Sequence, residues 1–440
     1  MDALERLLHE FFQGSHHNPA RHKAIEAELH AYKDKPTALE EARHYLEASS
    51  SPYLQWFAAS VLEDAVKRKW HTLPPPVREQ LRLFVLTYLT KERPAHARLG
   101  PFVATKLQQV LVDMGKQVGG WPQAYPTFMS DILGLSRSPS TYSTGLALLA
   151  MCCTEFVRDD LPLPSVRKAE LQAAFTAQLP SVVDLLSSLL AHAHEPSPAP
   201  GDVFIQSDLA SCALQCLSVL VEWPAMAACL TPDLCANVFK VVQAAVRPGS
   251  DTTMLPSGLA AIAVMTELMN KKCLPPQLEA FVLHVATQMC LVLESVCAVS
   301  KSNSSSSGGG VDEDLLLALL EFLTIFLEQH LGRILPPSLP PSSSSSPPFP
   351  FPSFCNLLAN FTFEQLPHAR LLRRAFLPWA ILLEYMTESE VGLEALQDNQ
   401  NLLSAVAMAL LGKLLFSTNA GALKELDDKE EGGRRGGRDE

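Results

Sequence analysis

Cysteine, histidine and paired carboxylates are the side chains here that could ligate a metal, attack a carbonyl or move a proton. Ten cysteines occur, and no two have the C-x-x-C spacing of a zinc site. Cys212 and Cys216 are four apart and could share a metal, but both fall on an apolar helical stripe without a second pair, which fits core packing better. Cys290 and Cys297, seven apart, read the same way. His16–His17 and His192 with His194 sit in or beside loop-like segments. Gly412–Lys413 lacks the earlier glycine and the Ser or Thr of a phosphate-cradling loop, and no G-x-S-x-G or H-E-x-x-H occurs. The acidic pairs Glu63–Asp64 and Asp159–Asp160 read as solvated surface. The expectation is therefore a protein that is not an enzyme, with no catalytic residue, cofactor or metal.

The elements that carry these residues are helical. In Leu4, Leu7, Leu8, Phe11 and Phe12 the apolar residues return with the period of one helix face. Leu54, Phe57, Ala58, Val61, Leu62, Ala65 and Val66 repeat the pattern, with Ser51–Pro52 as a start signal and Pro74–Pro75–Pro76 as a stop. Val103, Leu107, Val110, Leu111 and Met114 follow, and near the end come Leu372, Ala375, Phe376, Trp379, Ala380 and Leu383. No segment alternates with the period of a strand. About seventeen helices result, and grouping neighbours gives pairs every 40 to 50 residues or so, the spacing of HEAT repeats. The predicted class is all-α, a right-handed superhelical solenoid of HEAT/ARM-type helix pairs.

Composition agrees with a folded array. Of 440 residues 47% are apolar and 19% charged, ample material for a core. The net charge of −12 argues against nucleic acid as the ligand and favours a basic protein partner. The best transmembrane candidate, Leu315 to Leu327, is short and broken by Glu321, so no membrane insertion is expected. The amphipathic MDALERLLHEFF start lacks the features of a secretory signal.

Two segments are more specific. Ser51 to Trp70, SPYLQWFAASVLEDAVKRKW, resembles the second repeat of importin-β-family transport receptors. Lys106 to Leu133, KLQQVLVDMGKQVGGWPQAYPTFMSDIL, is similar to the exportin pattern, in which a helix ending Asp-hydrophobic-Gly precedes Trp-Pro and an aromatic-rich helix. Val118–Gly119–Gly120 departs from the shorter, acidic turn usual there. Trp70 is expected to close a helix end, and Trp121 to pack between repeats.

The resemblance implies a nuclear export receptor that shuttles between nucleus and cytoplasm. It implies Ran-GTP as partner, the nucleotide belonging to Ran. It also implies a protein cargo, actin with profilin, and contacts with nuclear pore proteins. The alternative is a HEAT-repeat scaffold without Ran dependence. Glu63, Asp64 and Lys67 of the second repeat and Asp113 of the third are the candidate partner-binding residues. Such receptors are longer than this chain, which implies an N-terminal part or a short form.

The implied division runs 1–95, importin-β N-terminal-like repeats; 96–300, exportin-like repeats with a loop at 194–201; 301–310, a Ser/Gly linker; 311–335, a helix of a further repeat; 336–352, a Pro/Ser-rich loop; 353–426, further repeats; and 427–440, a tail expected to be disordered.

Overall fold

The computed structural model describes residues 2–14, 18–91, 99–158, 163–193, 200–247, 254–271, 278–303, 311–335, 349–364, 369–388 and 400–414. His16, His17, Asp159, Asp160, His194, Cys273 and the tail 427–440 lie outside them, as does most of the expected loop at 194–201, linker at 301–310 and loop at 336–352. The described residues hold seventeen α-helices and no strand, so the expected all-α class of HEAT-type pairs stands.

Two compact units divide the chain, residues 1–185 and 186–440. The first contains α1 (Asp2–His9), α2 (Pro19–Lys33), α3 (Ala38–Ala48), α4 (Pro52–Asp64), α5 (Pro75–Thr90), α6 (Pro101–Lys116), α7 (Phe128–Arg137), α8 (Tyr142–Val157) and most of α9 (Ser165–Ala193). Within it α3 packs on α4, α5 on α6 and α7 on α8, while α4, α6 and α8 stack on one another as a second layer. The second unit contains α10 (Pro200–Glu222), α11 (Pro232–Val246), α12 (Leu255–Met269), α13 (Glu279–Asn303), α14 (Glu313–Ile334), α15 (Phe351–Glu364), α16 (Ala369–Glu388) and α17 (Gln400–Leu414). There α10, α12, α14 and α16 form one row and α11, α13 and α15 the other.

Local chemistry sets where the helices begin. Asn18 accepts from the Arg21 N–H at 3.1 Å, Thr231 from Leu234 at 3.2 Å and Asp312 from Asp314 at 2.9 Å, each satisfying a donor the helix cannot. Proline in the first turn opens α4, α5, α6 and α11, where its missing N–H costs nothing. Pro74–Pro76 therefore starts α5 as much as it stops what precedes it. The chain after α4 continues through a widened turn, Ala65–Lys69, and a tight one, Trp70–Thr72, so that buried Trp70 closes the helix end as expected.

The pair spacing holds in the first unit, where α4, α6 and α8 begin at Pro52, Pro101 and Tyr142, intervals of 49 and 41 residues. In the second unit α10, α12, α14 and α16 begin at Pro200, Leu255, Glu313 and Ala369, intervals of 55, 58 and 56. Longer helices, such as the 25 residues of α13, and longer connections account for the difference. The stripes of α4 and α6 are buried as read, whereas of the first stripe only Leu8 is fully buried and Leu4, Leu7, Phe11 and Phe12 are half-buried, and that of α16 is rotated. Leu371, Ala375, Trp379, Leu382 and Met386 face inward while Leu383 is exposed, because leucines also stand on the outer side of this helix, Leu377 with Leu383, and a stripe drawn through them misses the buried face.

Three helices, Ser165–Ala193, Glu279–Val299 and Glu313–Ile334, are long and apolar enough to cross a membrane by length and composition. The expectation of no insertion rested on the absence of an unbroken apolar run, and in these helices 39%, 61% and 56% of the most apolar stretch is buried inside the structure. The physical reason shows in α14, which is packed by α12, α13 and α16 and so carries apolar residues over a wide arc, interrupted by few polar ones.

Candidate functional site

Glu63 at the end of α4 and Lys67 one turn on share a face, as do Lys106, Asp113 and Lys116 on α6. Stacking of α4 on α6 and α6 on α8 turns these faces into one strip. Lys106 on α6 pairs with Glu63 on α4, and Glu63 accepts from Lys67 at 2.8 Å. Lys67 reaches back to Asp113 at 3.6 Å, Asp113 pairs with Lys116 at 2.7 Å, and Lys116 crosses to Glu155 on α8 at 2.7 Å. Three carboxylates and three ammonium groups thus link three successive helices.

The depth of these groups differs. The Asp113 side chain is 3% exposed and that of Lys67 52%. Asp113 Oδ1 accepts from Gln109 at 3.1 Å besides its pairing with Lys116, whereas buried Oδ2 has no hydrogen-bond donor, Lys67 Nζ being too far for one. Burial alone would raise the Glu63 carboxyl, but hydrogen bonds from Lys106 and Lys67 and the two charges hold it below its usual range. Burial opposes the charge on Lys67, and Glu63 and Asp113 outweigh it, so that ammonium is held above its usual value.

The structure brings together Glu63, Lys67 and Asp113 of the four expected residues and separates Asp64. Asp64 receives a fork from Arg68 at 2.7 and 2.5 Å, and Arg68 continues to Asp34 at 3.4 Å, with Lys69 on Asp34 at 3.2 Å. The hydrogen bond from Lys69 leads the lowering of the Asp34 carboxyl. Nearby Lys33 is pushed down by burial, which the attraction of Asp64 and Glu63 offsets only in part. At the other end of α4, half-buried Trp56 lies 5.4 Å from Phe12, and the Lys106 ammonium stands 5.9 Å from its ring.

A buried cation that the sequence reading passed over sets the end of α6. Arg167, 3% exposed, donates to the carbonyls of Gly115 at 2.9 Å, Lys116 at 3.1 Å and Trp121 at 2.5 Å, and to Gln123 Oε1 at 3.1 Å. The turn it holds needs two glycines. Gly119 has φ of 70°, and a Cβ on Gly120 would stand 2.5 Å from the Met114 carbonyl oxygen. Trp121 stacks on Phe156 of α8 with centroids 5.6 Å apart, packing between repeats as expected. Lys106, Lys116 and Glu155 were likewise missed. The signal was present for the first two, since Lys106 and Lys116 share a helix face with Asp113, but Glu155 becomes visible only once α8 is stacked on α6.

As for ligation chemistry, no group of three His, Cys, Asp or Glu able to hold a metal occurs among the described residues. Cys216 is buried and Cys212 half-buried, and burial raises the Cys212 thiol. What the strip holds is a line of paired charges across three stacked helices.

Residues 25–91 match the importin-beta N-terminal domain and residues 100–250 the exportin 1-like protein family. Exportin-6 of Danio rerio is 28% identical across 97% of this chain and 42% of its own length, and that of Homo sapiens 26% identical with the same coverage. A solved structure of a Kap121p mutant aligns with a TM-score of 0.37 at 14% identity, covering 95% of this chain and 47% of that one. The chain spans about 42% of the length of the curated relatives it matches.

Proposed function

We propose, from the premise that this chain belongs to the importin-β family and is similar to exportin-6 proteins, that it acts as part of a nuclear export receptor. Its repeats bind Ran in the GTP form together with a protein cargo, actin with profilin, and carry both between nucleus and cytoplasm past nuclear pore proteins. It binds and does not catalyse. The segment 1–95 serves as the importin-β-like entry repeats and 96–300 as the exportin-like ones.

The observation that carries the reading is the charged strip across α4, α6 and α8, which lies within the two family-matched segments. Glu63, Lys67 and Asp113 contact Ran there, with Asp64 on the flank. Coupling follows if Ran and cargo favour the same spacing of stacked helices, a reciprocal linkage. A pull-down on the full chain with Ran locked in the GTP form, against Ran-GDP, tests this. Binding that ignores the nucleotide would remove the Ran assignment and leave a HEAT-repeat scaffold.

A further inference from the structure

The strip is charge-balanced as it stands. Glu63, Asp113 and Glu155 face Lys67, Lys106 and Lys116. It presents no surplus negative charge to a basic partner until one lysine moves, and the four oxygens of Glu63 and Asp113 single out which.

Glu63 Oε2 is held by Lys106, and Asp113 Oδ1 by Gln109 and Lys116. Glu63 Oε1 and Asp113 Oδ2 have only Lys67, at 2.8 and 3.6 Å. The second of these is too long for a hydrogen bond, so a carboxylate oxygen within a side chain 3% exposed is left without a donor. Lys67 is the most exposed cation of the strip, at 52% against 25% for Lys106 and 14% for Lys116, and an ion pair so exposed has little net worth. A single ammonium does not hydrogen-bond both oxygens. A planar guanidinium carries five N–H donors and can give a separate one to each of two carboxylate oxygens.

We propose that Glu63 Oε1 and Asp113 Oδ2 form a receptor site for an arginine side chain of a protein partner, and that Lys67 occupies it as a displaceable plug. The proposal refines the partner-binding role given to this strip. It fixes the class of group received and makes the chain's own lysine the competitor. Swinging Lys67 out frees both oxygens at once and leaves every other charge of the strip paired.

The test titrates acetyl-Gly-Arg-Gly-amide, and the neutral isostere with citrulline in place of arginine, into the full chain by calorimetry. Lys67→Gln is expected to bind the arginine peptide about tenfold more tightly than the unaltered chain, the scale of a charge-assisted hydrogen bond at a partly screened site. Adding Asp113→Asn to Lys67→Gln should abolish the gain, and Lys67→Arg should behave as the unaltered chain. The citrulline peptide should gain nothing. Equal affinity of Lys67→Gln and the unaltered chain, or a gain shared by citrulline or surviving Asp113→Asn, overturns the proposal. Lys67 is half exposed, and an unchanged melting temperature confirms that the variant folds. Neither Ran nor nucleotide enters this measurement, so a failure of nucleotide-dependent binding and a failure of the arginine site are read separately.

Discussion

Arg167 and His330 are both buried polar side chains that hold main-chain carbonyls, and they respond to opposite perturbations. Arg167→Met, at 3% exposure, would take the side-chain donor from the Lys116 and Trp121 carbonyls and leave the Gly115 carbonyl with the Trp121 N–H alone. The expected loss is about 3 kcal/mol, from unmet buried acceptors rather than lost charge, read as a lower urea midpoint with an unchanged slope. Nothing around Arg167 in sequence announces this. Val166–Arg167–Lys168 reads as the polar start of a helix, and the carbonyls it clamps lie 46 to 52 residues away. His330 is fully buried between α14 and α12, its Nε2–H donating to the Met269 carbonyl at 2.8 Å while Nδ1 has no partner. Burial pushes its pKa down, the Met269 bond opposes this in part, and the Arg333 charge adds to the lowering. The folded state thus resists a proton that the unfolded chain accepts near pH 6.5, so stability should fall as pH drops below about 6.5 towards the lowered native value. His330→Gln removes the titrating group. Thermal melts between pH 7 and 5 should show a smaller acid-induced decline for the variant than for the unaltered chain, and parallel declines would refute the assignment.

Among the helices, the period of the stripes was enough to place α4 and α6 and to identify their buried sides, because the helices packed on each are close in sequence and cover its apolar residues. Which charges meet across them was not legible, since pairing of Lys106 with Glu63 or Lys116 with Glu155 depends on the stagger of stacked helices, set by the Gly119–Gly120 turn and by Trp121 against Phe156. α16 shows the converse limit. Leucines on its outer side, Leu377 and Leu383, let the sequence name the helix but not its inward face. The stagger makes a checkable claim. Lys116 and Glu155 are 14% and 20% exposed, between a surface pair and a buried one, so a double-mutant cycle with Lys116→Met and Glu155→Gln should give a coupling near 1 kcal/mol. Coupling within error of zero would mean that α6 and α8 are held by apolar packing alone.

Across the molecule, the net charge of −12 suggested an acidic face for a basic partner, yet the strip where partner residues were sought is locally neutral. Composition averages over surfaces that differ, so the net charge of a whole chain does not forecast that of any one strip. The cysteines report on the whole fold more directly. All nine described cysteines are thiols, and seven are buried, Cys152 and Cys153 in the first unit and Cys216, Cys235, Cys290, Cys297 and Cys355 in the second. Burial pushes Cys290 up to about 11, helped by the Glu294 charge, and Cys355 up to about 12, with Cys235 raised as well. Thiolate is the reactive form, so these positions should be nearly inert to an alkylating agent at pH 8 while the native packing lasts. Cys235, Cys290 and Cys355 lie on α11, α13 and α15, which form one row in which each helix buries its neighbour. Loss of one helix from such a row removes the cover of the next, and repeats coupled in this way open together when their interfaces dominate. In a urea series with pulsed iodoacetamide labelling read by mass spectrometry, Cys235, Cys290 and Cys355 should therefore gain label over one common transition. Sequential transitions, with Cys355 reacting well before Cys235, would show instead that the interfaces between these repeats are weaker than the repeats themselves.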